Sequence, residues 1–122
     1  MDRNLEKNLR KIQGLREKGQ LEKALSQLES WAKKNPDTPH YQYEAANVAL
    51  DLGDHVNGLR WLKNLLRTAP DSRARVLDAV QERFENEPIL PLGEFLVDRY
   101  LSRDDTESTF AVVQKLGEEA LE

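Results

Sequence analysis

The sequence predicts an all-α fold, and three observations carry that reading. Apolar residues recur at helical spacing along most of the chain. Turn residues return at a fixed interval, Gly19 and Pro36 reappearing 34 residues later as Gly53 and Pro70. No stretch alternates apolar with polar residues around a turn dipeptide such as Asn-Gly, so no strand competes. The same shift carries Leu25 onto Leu59, Leu28 onto Leu62, Asp37 onto Asp71 and Ala24 onto Gly58, which keeps turn and apolar positions in one register.

Seven helices follow in order. Asp2 is placed to cap the first, in which Leu5, Leu9, Ile12 and Leu15 share a face. Gly19 ends it as a residue free to take positive φ. The second, from about Leu21 to Lys34, sets Leu21, Ala24, Leu25, Leu28, Trp31 and Ala32 on one stripe, with Lys33 and Lys34 at the negative end of the dipole. After Pro36, Thr38 and Pro39 read as a cap and a first-turn proline for a third helix, where Ala45, Ala46 and Ala49 allow close approach. Gly53 stops it near Leu52. The fourth helix, Val56 to Arg67, carries Val56, Leu59, Leu62, Leu65 and Leu66 before Pro70.

From Asp71 the repeat degenerates, because Glu87 stands where the turn glycine is expected and Leu92 where the small residue is expected. Ser72 reads as the cap of a fifth helix holding Val76, Leu77, Ala79, Val80 and Phe84. Pro88 and Pro91 break the chain, and Pro91 opens a sixth helix with Leu92, Phe95, Leu96 and Tyr100. The seventh, capped near Asp105 or Thr106, contains Phe110, Val113 and Leu116, which the spacing predicts to pack on Phe95 and Leu96 while Val112 points away. The chain is thus expected to be one domain, 1–122, of repeats at about 5–38, 39–72 and 73–104 and a terminal or capping helix at 105–121.

The stretches REKGQLEKALSQLESWAKKNPD and LDLGDHVNGLRWLKNLLRTAPD resemble the tetratricopeptide repeat family, in which a Gly ends the first helix, a small residue sits early in the second and a Pro closes the unit. The resemblance is specific over residues 5–70. It implies a right-handed α-solenoid of about three repeats plus a terminal helix, with a concave groove lined by the first helix of each unit. It also implies a non-enzymatic scaffold that binds a peptide or helix of another protein. Residues at the family's groove positions are Leu9, Gln13 and Arg16, then Tyr43, Asn47 and Leu50, then Leu77, Gln81 and Phe84. The middle column is an amide in every unit, able to pair with the main chain of a bound segment while Leu, Tyr and Phe receive its side chains. The binding set is therefore Leu9, Gln13, Tyr43, Asn47, Leu50, Leu77, Gln81 and Phe84. The cationic clamp by which some members hold a terminal carboxylate is not matched. Leu9, Gln13, Glu44, Ala74 and Asp78 stand at its places and only Asn47 agrees, so an internal or helical segment is expected.

Composition narrows the function. The 122 residues, 39% hydrophobic, hold 18 basic and 22 acidic side chains, and a formal charge of -4 gives no general attraction to phosphate backbones. The chain has no cysteine, which removes disulfides and thiolate chemistry. No apolar run nears the roughly 18 residues of a membrane span, and MDRNLEKNLRK lacks the apolar stretch of a secretory signal. A cytoplasmic protein binding neither membrane nor nucleic acid is expected. Leu121 and Glu122 match a dipeptide that often precedes a polyhistidine tail, which would make this a fragment of a longer protein.

Reactive constellations are not found. His40 and His55 stand apart near helix starts and read as surface residues, and the acids Asp104, Asp105, Glu107, Glu118 and Glu119 read as solvated helix ends without calcium-loop spacing. There is no Gly-rich phosphate loop. Gly14 lies alone within a helix, and Trp31 and Trp61 keep register with leucines and read as packing residues. No catalytic residue, metal or cofactor is expected. One alternative to the scaffold is end-to-end self-assembly through the terminal helices. Residues 1–19 hold six bases and three acids, whereas residues 104–122 hold one base and six acids.

Overall fold

A computed structural model describes residues 3–121, with side chains as far as Glu118. The Asp2 cap and Glu122 lie outside the described residues. The helices are α1 (Leu5–Glu17), α2 (Leu21–Lys34), α3 (Pro39–Asp51), α4 (His55–Thr68), α5 (Arg73–Asn86), α6 (Leu90–Leu101) and α7 (Thr106–Leu121), with a 3-10 turn at Pro70–Ser72. No strand occurs among the described residues. The chain divides into two compact units, Met1–Ser72 and Arg73–Glu122, at the boundary between the second and third expected repeats.

Within the first unit the turns repeat as the helices do. Gly19 and Gly53 adopt φ of 73° and 82°, a region closed to most side chains by the clash of Cβ with the following carbonyl. That conformation lets Gln20 N–H reach Leu15 C=O at 2.9 Å and Asp54 N–H reach Ala49 C=O at 2.9 Å, closing α1 and α3 with the same motif. The returning turns match too, with Asn35 N–H on Trp31 C=O at 2.9 Å and Ala69 N–H on Leu65 C=O. Thr38 holds the N-cap place of α3, but its side chain makes no capping bond.

The core of this unit unites Ile12 of α1, Ala24, Leu28 and Ala32 of α2, and Tyr41, Ala45 and Val48 of α3, all buried. Trp31 and Trp61 pack against it from the rim, and the Trp31 and Tyr41 rings lie 5.6 Å apart. Polar side chains link corresponding helices of the two hairpins. Asn8 donates to the Tyr41 hydroxyl at 3.0 Å between α1 and α3, and Trp61 Nε1 donates to Glu29 at 3.1 Å between α4 and α2. Leu50 settles against Gly58, where an added Cβ would lie 2.7 Å from its Cγ, so the α3–α4 crossing depends on that missing atom.

In the second unit α6 packs against both α5 and α7. Val76, Val80 and Phe84 of α5, Leu92, Phe95 and Leu96 of α6, and Val112 of α7 are buried. The closing turn of the first two hairpins returns here at an unexpected place, Asp104, which takes φ 55°. Asp105 N–H meets Tyr100 C=O at 2.9 Å, and Asp105 then caps α7 by accepting from Ser108 N–H at 3.0 Å. Asp54 does the same for α4, accepting from Asn57 N–H at 3.1 Å. The left-handed turn therefore follows Gly53 after 51 residues and joins α6 to α7, while Glu87, where the period places it, has no positive φ.

The packing of α7 corrects the expectation for its face. Val112 is buried, whereas Phe110 and Val113 are 67% and 54% exposed. The cause lies in α6, where Gly93 opens a slot for Leu116: a Cβ there would stand 2.6 Å from Leu116 Cδ1. Val112 is one turn before Leu116 and shares its row, so seating Leu116 turns Val112 inward and Phe110 out.

Candidate functional site

The expected binding residues fall into two groups, one per unit. In the first, Leu9 packs against the core, Gln13 is exposed, Tyr43 and Asn47 are half-buried, and Leu50 is buried against Gly58. Arg16 reaches α3, 2.6 Å from Asp51 and 3.5 Å from Glu44, and ties α1 to it. In the second unit Leu77 and Gln81 are half-buried and Phe84 is fully buried. Leu50 and Phe84 are thus core residues: as large apolar side chains on the inward side of α3 and α5, they are drawn into the interior. The remaining six keep accessible surface.

A cavity of about 270 Å³ lies in the second unit, lined by Gln81, Phe84 and Glu85 of α5 and by Ala111, Val112 and Lys115 of α7. Phe84 and Val112 are buried apolar walls, and Gln81, Glu85 and Lys115 supply polar atoms. Two expected residues, Gln81 and Phe84, are brought together here. The Gln81 amide is fixed at both ends, accepting from the Tyr100 hydroxyl at 2.8 Å and donating to Glu85 at 3.3 Å. Burial raises the Tyr100 pKa, reinforced by the nearby charges of Asp105 and Asp78, so its hydroxyl stays protonated as the donor.

Gln13 makes the matching bond in α1, donating to Glu17 at 3.2 Å. An acid thus follows each amide by one turn, Glu17, Asp51 and Glu85 recurring at 34 residues. That column was readable from the period. Ala111, Val112 and Lys115 were not, because α7 does not keep the 34-residue register.

His40 and His55 are half-buried rather than surface residues, and His40 Nδ1 is buried with no hydrogen-bond partner among the described residues. No group of three or more His, Asp or Glu among the described residues could hold a metal ion. No helix among them is long and apolar enough to cross a membrane. The geometry defines an all-α protein in which a repeated helical hairpin is followed by a three-helix unit with a small lined cleft. No protein-family model matches the chain, and no curated protein matches it significantly.

Proposed function

We propose that the chain is a non-enzymatic protein-interaction scaffold of the tetratricopeptide type, acting in the cytoplasm, and that a peptide or helix of its partner anchors one side chain in the cleft between α5 and α7. The cleft carries this reading. Its volume of about 270 Å³ falls just below the roughly 300–1,000 Å³ of small-molecule sites, which suits a single apolar side chain. Its apolar walls exclude water from such an anchor, and the side chains of Gln81, Glu85 and Lys115 offer polar contacts to the segment around it. Leu77 adds accessible surface on α5 of the same unit, and within the first unit Leu9, Gln13, Tyr43 and Asn47 keep accessible surface on α1 and α3.

The test is to fill the cleft. Ala111 is exposed at its edge, so Ala111→Trp should occupy the cavity without disturbing the core. With the circular dichroism spectrum and melting temperature unchanged, co-purification of partners from source lysate should fall about tenfold, the effect of losing roughly 1.4 kcal/mol. A folded variant that recovers every partner at the wild-type level would remove the cleft from the binding site.

A further inference from the structure

We propose that α7 of one molecule docks against α1 of a second copy. The left-handed turn supplies the register. Counting from Gly19, Gly53 and Asp104, Phe110 falls where α2 has Leu25 and α4 has Leu59, and Val113 falls where they have Leu28 and Leu62. Leu28 and Leu62 are fully buried, yet Val113 is 54% exposed. In the first unit, Tyr41, Ala45 and Val48 of α3 share one core cluster with Leu28 and its neighbours. Phe110 and Val113 are thus exposed at positions whose equivalents on α2 and α4 are packed.

The counterpart stripe on α1 is read off by the repeat. Thirty-four residues before Tyr41, Ala45, Val48 and Leu52 stand Lys7, Lys11, Gly14 and Lys18, three of them exposed and Gly14 half-buried. Lysines thus replace most of the apolar row by which α3 packs. On α7, Glu107, Phe110, Gln114 and Glu118 form a stripe of the same length, all exposed. Its two acids are 11 residues apart, as are Lys7 and Lys18, a span of about 16 Å on each helix. Laid antiparallel, the helices put Glu107 against Lys18 and Glu118 against Lys7. Between them, Phe110 meets Gly14, where an added Cβ would have no atom within 4 Å and the surface is open to receive a ring. The Lys11 ammonium lies 6.0 Å from the Trp31 ring centre, leaving its stem to extend the apolar strip.

Because donor and acceptor faces differ, the contact is either made twice between two copies, closing a symmetric dimer, or passed on head to tail through more. The residues of this contact are distinct from those that line the cleft between α5 and α7. Static light scattering of the wild-type chain should give a mass that rises above the monomer with concentration and falls back on adding salt. Phe110→Asp with Val113→Asp should be monomeric, as should Lys7→Glu with Lys18→Glu. All four positions are exposed, and circular dichroism checks that both variants remain folded. An equimolar mixture of the two variants should form one-to-one heterodimers, since each keeps the face that the other lacks. A wild-type chain that stays monomeric at the highest soluble concentration would overturn the proposal. So would self-association surviving in the lysine variant, which would place α7 against α7, or a mixture that remains monomeric.

Discussion

Leu28 and Leu62 occupy equivalent sites in α2 and α4, and neither retains any exposure. Truncation of either to Ala should cost about 2–5 kcal/mol, the range for a buried leucine whose cavity closes only in part. Chemical denaturation of each variant measures this, and insensitivity at both sites would contradict the shared register. The three left-handed residues make a sharper comparison, because the same turn is held by Gly at two places and by Asp at the third. Gly53→Ala should lower stability by about 1–2 kcal/mol, the cost of placing a Cβ in that conformation. Asp104→Gly should leave stability unchanged or raise it by up to about 1 kcal/mol, because Asp tolerates the conformation without being at ease in it. Opposite signs in thermal melts would support one turn used three times.

Among the elements, α7 depends most visibly on a single cap. Asp105 accepts hydrogen bonds from the Ser108 backbone and side chain, which hold its carboxyl below the usual carboxylate range. A folded-state pKa depressed in this way contributes stability above the unfolded pKa and loses it as pH falls through the folded value. The wild-type chain should therefore lose α7 helicity as pH falls below the usual carboxylate range and through the depressed pKa of Asp105. Asp105→Asn, which still accepts the bond, should remove that part of the acid dependence, as read by circular dichroism against pH. An identical pH profile for the two would show that the cap does not govern the helix. Helices α1, α2 and α4 were legible in the residues because each carries an apolar stripe, and α3, buried on more than one side, because Pro39 and Gly53 bound it. The face of α7 was not, because Phe110, Val112, Val113 and Leu116 spread around more than one side, and the choice was made by Gly93 on another helix.

At the scale of the whole chain, two hairpins related by 34 residues precede a three-helix unit whose closing turn comes 51 residues after Gly53. The period located the amides Gln13, Asn47 and Gln81, and two of the eight expected site residues line the cleft. It could not locate the opposite wall, since Asp104 adopts the turn without the glycine that would mark it. Nor could it foresee that Leu50 and Phe84 would serve the core, because an apolar residue on the inward side of a helix reads alike whether it meets a partner or a neighbour. The proposal that a partner anchors in the cleft is tested most directly by a photoreactive benzoylphenylalanine placed at Ala111, with a control at exposed Lys63 on α4. Irradiation in source lysate, followed by mass spectrometry of the crosslinked peptides, should join position 111 to one short segment of one protein, centred on an apolar side chain, with no such product from position 63. Equal and scattered crosslinking from both positions, or none from 111 in a folded chain, would contradict it.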